Sequence, residues 1–199
     1  MEPKTTFNSL APNSRERILE IATDLFAEKG YAGTYVREIV EKAGVSKPVL
    51  YYYFQSKEGL FYAILEWATD VQQNVLNEVF QASGTVLERF IYLYRQIYEG
   101  IQKYQSLYKM IHGHIYGPPQ GAPEYDFYKF QAEMFVAVKR IYAEGLTAGE
   151  IKDADEDEVA FLVLGLLDYS LNMDSIMPEV ADPQRPERLL HLAFKGLSL

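Results

Sequence analysis

Apolar positions recur every three or four residues along most of the chain, so the pattern predicts helices and no strands. Ile18, Ile21, Ala22, Leu25 and Phe26 form one complete stripe. Asn13 and Glu16 have capping-box spacing ahead of it, and Gly30 closes it. Val36, Ile39, Val40 and Ala43 make a shorter stripe, with Thr34 as the expected cap and Gly44 as the terminator. Ser46 is placed to cap a third helix. Pro48 lies in its first turn, where a missing N–H does no harm. Leu50, Tyr53 and Phe54 carry its apolar face. Two short helices around a glycine-containing turn have the outline of a helix-turn-helix. The first stripe is the natural partner for both.

Ser56-Lys57-Glu58 opens a fourth helix, whose apolar positions run from Leu60 to Val79 without Gly or Pro after Gly59. It should be rigid, and it is the mechanical link between the head and everything downstream. Gly84 marks a loop. Leu87, Ile91, Tyr94 and Tyr98 predict a fifth helix, and Leu107, Met110, Ile111 and His114 a sixth, with a bend over 102–106. Residues 117–123 are Gly/Pro-rich and predict a long loop. A seventh helix should span about Glu124 to Ala148. The acidic run Asp153 to Glu158 suits a helix N-terminus. Val159 to Tyr169 is apolar on nearly all sides, so it must be covered on more than one face. Pro178 to Pro186 breaks it, and Leu189, Leu190, Leu192, Ala193, Phe194 and Leu197 predict a last helix. The fold class is all-α with about nine helices, divided into a three-helix head over residues 1–56 and a helical body over 57–199.

Charge changes this picture. The 199 residues are 48% hydrophobic and carry a net charge of −9. Residues 1–60 are balanced, with eight Lys/Arg against eight Asp/Glu, so residues 61–199 supply the whole excess. Between Tyr31 and Lys57 the balance tips to +2. An acidic body on a neutral-to-basic head favours one end meeting a polyanion. The chain has no cysteine, which fits a reducing cytoplasm. No apolar run has the length of a membrane span, and no signal peptide is evident.

The third helix has an outer face rich in donors. Lys47 and Tyr51 are four apart, as are Pro48 and Tyr52, on the side away from Leu50 and Phe54. A lysine and two phenols, with Ser46 at the helix start, suit phosphates and base edges. The plainer alternative is an αα-hairpin whose tyrosines only pack. Turn chemistry, capping and the polar face together favour double-stranded DNA.

Residues 14–60, SRERILEIATDLFAEKGYAGTYVREIVEKAGVSKPVLYYYFQSKEGL, resemble the N-terminal signature of the TetR family of transcriptional regulators. The resemblance covers the first third of the chain. It implies a homodimer that represses transcription from an operator and is released by a small-molecule effector held in the C-terminal ligand-binding and dimerisation domain. The family's DNA-contacting positions fall on Thr34 and Arg37, then Ser46, Lys47, Pro48 and Val49, then Tyr51, Tyr52 and Lys57. By this resemblance Thr34 and Arg37 contact phosphate, with Arg37 also within reach of a base, Lys47, Pro48 and Val49 face base edges, and Tyr51, Tyr52 and Lys57 clamp the backbone. Pro48 stands where glycine is frequent and Tyr52 where histidine is frequent. Pro48 has no donor, so it offers only apolar contact. This leaves Lys47 and Arg37 as the chief base-reading donors.

The second half is rich in aromatics, most of which should pack. Tyr94, Tyr98 and Tyr108, with Phe127, Phe130 and Met134, are candidates for an effector pocket. Asp168 sits in an otherwise apolar helix with Asn172 four residues on. Buried charge is costly unless paired. Three readings stay open: an arginine satisfies Asp168, it faces solvent at a seam, or it binds a polar ligand. His112 and His114 are two apart and point to different sides of a helix, so no metal or other cofactor is expected. No G-x-S-x-G, P-loop or dinucleotide fingerprint is present, so no catalytic residues are assigned. The apolar surplus of the last two helices predicts a four-helix interface with a second copy. Two competing readings are a DNA-binding architectural protein without an inducer and, further off, a helical enzyme with a borrowed head.

Overall fold

The computed structural model describes residues 14–117, 121–177, 179 and 181–197, so Asn13 and much of the Gly/Pro-rich loop lie outside the described residues. Among these residues the chain forms nine α-helices and no strand: α1 (Ser14–Gly33), α2 (Val36–Lys42), α3 (Lys47–Phe54), α4 (Lys57–Gln81), α5 (Val86–Lys103), α6 (Gln105–Tyr116), α7 (Phe127–Thr147), α8 (Glu156–Ile176) and α9 (Arg185–Leu197). Two compact units result. One comprises residues up to Thr69 together with Tyr104–Tyr125, and the other Asp70–Lys103 together with Asp126–Leu199. α4 contributes residues to both.

In the first unit, the α1 stripe meets α2 and α3 as its spacing predicts, and it also packs on α6. Ile18, Leu25, Ile39, Leu50, Leu60 and Ile64 are fully buried. Each contributes about 1.5–3 kcal/mol by leaving water. Phe26, Tyr31 and Phe61 cluster with ring centroids 5.3–5.6 Å apart. His114 of α6 sits 5.7 Å from Phe61, and burial lowers its pKa.

The second unit is built on α5, α7, α8, α9 and the end of α4. Phe90, Leu93, Val138, Ile141, Val163 and Phe194 make its centre. A Cβ at Gly145 would overlap Val86, so this glycine sets how closely α7 approaches α5. Two stitches run from α4 to α7: Gln72 donates to the Phe130 carbonyl at 3.0 Å and Gln73 to Glu133 at 2.5 Å.

Several local expectations need correction. Thr34 does not cap α2. Tyr35 holds the N-cap position, while the buried Thr34 hydroxyl donates to the Gly30 carbonyl at 2.8 Å, with the Leu25 carbonyl 3.1 Å away. The Thr34 hydroxyl thereby meets a carbonyl at the kinked end of α1, where backbone acceptors lose their helical donors. Ser46 is the N-cap of α3 but its side chain makes no capping bond. Gly30, by contrast, does end the long helical run as expected, with non-helical φ 70 and ψ 172, and a short separate turn reaches Gly33 beyond the kink. α7 starts at Phe127, where Asp126 accepts from the Tyr128 N–H, not at Glu124. The acidic run behaves as expected: Asp155 caps α8 by accepting from the Asp157 and Glu158 N–H groups.

Candidate nucleic-acid interface

α3 turns Leu50 and Phe54 into the core and leaves Lys47, Pro48, Tyr51 and Tyr52 exposed, the last at 63%. Val49 is half-buried beside them and Ser46 exposed ahead of them. The turn before α3 works because Gly44 takes φ 62, a conformation that L side chains rarely adopt. The Val45 N–H then donates to the Val40 carbonyl at 3.0 Å, closing α2. This packing holds the outer face of α3 in one orientation.

The basic residues around this face are not equivalent. Arg37 is exposed. Lys29 and Lys42 both reach Glu38, at 2.5 and 3.6 Å. The Lys29 hydrogen bond holds the Glu38 carboxyl below the usual carboxylate range and raises the lysine in turn. Lys57 is half-buried, donates to the Tyr31 carbonyl and lies 4.1 Å from the centroid of the Tyr31 ring. Burial pushes its pKa down. As folded, Lys57 ties the start of α4 to α1, and the buried Thr34 hydroxyl is likewise committed. The clamp role expected of Lys57 and the phosphate contact expected of Thr34 therefore meet side chains already engaged inside the head. Tyr35, by contrast, is 69% exposed at the start of α2. Its signal in the sequence was an aromatic with no place in the Val36–Ile39–Val40 stripe.

The residues expected around an effector are divided between the two units. Tyr94 is buried in the core of the second unit and its hydroxyl donates to the Val163 carbonyl, so it seals the core. Burial pushes its phenol up. Tyr98, Phe127, Phe130, Met134 and Asn172 are half-buried in the same unit, and Tyr108 belongs to the other. Asp168 is exposed, with the Asn172 amide donating to its carboxylate at 3.0 Å. Of the three readings left open for Asp168, its exposure agrees with the solvent-facing one, because α8 buries only one side. Phe161 and Tyr169 share the exposed side with Asp168, at 67% and 65% exposure. The His112 ring lies tilted 4.7 Å from that of Tyr116 and the His114 ring tilted beside Phe61, so the two histidines face different neighbours. Among the described residues no group of three His, Cys, Asp or Glu side chains could hold a metal ion. No described helix is long and apolar enough to cross a membrane.

Residues 18–64 match the model of the bacterial regulatory proteins of the tetR family. Over 57 residues the chain is 46% identical to the HTH-type transcriptional regulator RutR of Escherichia coli (strain K12). That stretch covers 29% of this chain and spans 27% of the length of RutR. A longer alignment, of 164 residues at 27% identity, reaches the HTH-type transcriptional repressor KstR2 of Mycolicibacterium smegmatis, covering 80% of this chain and 77% of that protein. Among solved structures, a gamma-butyrolactone receptor described as an ArpA-like protein is 23% identical and superposes with a TM-score of 0.71, over 94% of this chain and 89% of the other. At that identity the superposition speaks for a common fold.

Proposed function

Because the chain belongs to the TetR family of bacterial regulatory proteins, we propose that it is a DNA-binding transcriptional regulator, a repressor that a small hydrophobic or aromatic molecule releases from its operator. The carrying observation is the exposed face of α3, with Lys47, Pro48, Tyr51 and Tyr52 held outward by a buried Leu50 and Phe54. Residues 1–56 act as the DNA-binding domain and 57–199 as the effector-binding and dimerisation domain. Lys47 and Arg37 read base edges. Ser46, Val49, Tyr51 and Tyr52 position the helix against the groove wall. Homodimerisation is supported by α8 and α9, which leave Phe161, Leu162, Tyr169 and Leu192 exposed. Two heads then meet half-sites about 34 Å apart or a multiple of it.

The effector reading rests on the half-buried Tyr98, Phe127, Phe130 and Met134. α4 has residues in both units and is the element through which effector binding would act, provided the effector binds one state better than the other. A regulator without an effector is the second reading, favoured by the way Tyr94 fills the core.

The test is selection of bound duplexes from a random pool, followed by affinity measurements on the winner. A two-fold symmetric site should emerge. Lys47→Ala should weaken it by about 1–3 kcal/mol and relax base preference at one position. A pool that enriches no sequence would sink the DNA reading. Repeating the selection with a panel of aromatic compounds tests the effector: one or more should lower recovery of the site, and none doing so favours the second reading.

A further inference from the structure

All eight arginines of the chain lie among the described residues, and they divide sharply. The five in the second unit each meet a carboxylate: Arg89 and Arg140 on Glu144 at 2.5 and 2.9 Å, Arg95 on Glu187 at 2.7 Å, Arg185 on Asp174 at 3.3 Å, and Arg188 on Asp182. The three in the first unit are Arg15, Arg17 and Arg37. All are exposed, and none has a carboxylate within 4.0 Å among the described residues. Acids are at hand on α1 itself, since Glu16, Glu20 and Asp24 share its outer surface. The guanidinium groups of α1 turn elsewhere. An Arg17 amino nitrogen lies 3.6 Å from where a Cβ of Gly44 would stand, over the turn that leads into α3. The Arg15 guanidinium lies 5.5 Å from the centroid of the Phe54 ring, at the last residue of α3.

We infer that Arg15 and Arg17 belong to the DNA-binding surface and hold phosphates on either side of α3, so that the footprint extends onto α1. The α3 helix has eight residues and is therefore about 12 Å long. The major groove is about 12 Å wide, with a row of phosphates on each wall. A recognition helix lies in that groove, so cations beside its two ends are placed to reach phosphates bordering the groove at two separate points. A guanidinium presents a planar fork that fits phosphate, and its weak hydration lowers the cost of leaving water. Proximity to Gly44 and to Phe54 pre-positions both groups before DNA arrives. The head thereby makes up for the cations it has committed elsewhere: Lys29 and Lys42 to Glu38, and Lys57 to Tyr31.

This inference rests on the DNA-binding reading above, and its test separates the two. Binding of the full chain to a random-sequence duplex of about 30 base pairs is measured by fluorescence anisotropy between about 50 and about 200 mM salt. The double variant Arg15→Gln/Arg17→Gln should bind about tenfold more weakly at the low-salt end, with the slope of log K against log salt reduced by about two. Arg15→Lys/Arg17→Lys keeps both charges and should keep the wild-type slope. Thermal melts should show all three proteins folded. A glutamine variant with wild-type affinity and slope, alongside a weakened Lys47→Ala, overturns the inference and leaves the DNA reading standing. A lysine variant whose salt slope falls as far as that of the glutamine variant also overturns it, since charge would then not be what sets the slope. Wild-type protein with no salt-dependent binding removes both.

Discussion

In the body every arginine is paired with a carboxylate, while in the head no arginine is, among the described residues. The two regions use the same side chain for opposite purposes. In the body, the stem of Arg89 is buried and its guanidinium joins Glu144, so the residue belongs to the packing of α5 against α7. In the head, arginines are kept in water and their charge is left uncancelled. The net charge of −9 therefore misleads about partners, because residues 61–199 supply all of it and the head is balanced. What a polyanion meets is the local balance of exposed, unpaired groups.

Three measurements could break this comparison or sharpen it. The largest effect should come from Arg89→Ala, which removes a buried stem and half of an ion pair and should cost about 2 kcal/mol of stability. Arg37→Ala should stay within about 0.5 kcal/mol of wild type in the same denaturant titration. Equal losses from the two would mean that the arginine of the head is structural too, and the contrast would fail.

A smaller effect should follow pH. The hydrogen bonds from Arg89, then from Arg140, hold Glu144 below its ordinary value of 4.5. The folded protein therefore binds this proton less readily than the unfolded chain. The stabilisation is fully present above 4.5 and is lost as pH falls through the lowered folded value. The melting temperature of wild type should exceed that of Glu144→Gln near neutral pH, and the gap should close on acidification. A gap that widens in acid has the wrong sign for this pairing.

The smallest effect belongs to Glu38, the acid that occupies Lys29 and Lys42. Glu38→Gln should free both lysines and strengthen binding to random-sequence duplex about threefold at low salt. Unchanged or weaker binding would show that the pairing does not restrain the head's field.

Local periodicity made most of the fold legible. The stripes at Ile18–Phe26 and Leu60–Val79 became α1 and α4, and Gly44 took the left-handed turn its position required. Asp155 capped α8 because a cap and its target are only two or three residues apart. The same logic failed for Thr34, whose partners lie in α1, nine and four residues back, across the end of a helix. It left Asp168 open because an apolar helix does not reveal how many of its faces the chain itself will cover. The outer face of α3 was readable from four-residue spacing alone, and Arg15 and Arg17 were not, because nothing local links them to Gly44 and Phe54.

The sequence by itself determined the helices, the turn of the helix-turn-helix and the outward set Lys47, Pro48, Tyr51 and Tyr52, since each depends on residues within about one or two helical turns. Only the tertiary structure decided which cations remain available. Lys57 meets Tyr31 across 26 positions and Arg89 meets Glu144 across 55. Such pairings form where packing happens to bring groups together, and one-dimensional spacing carries no record of that distance in space.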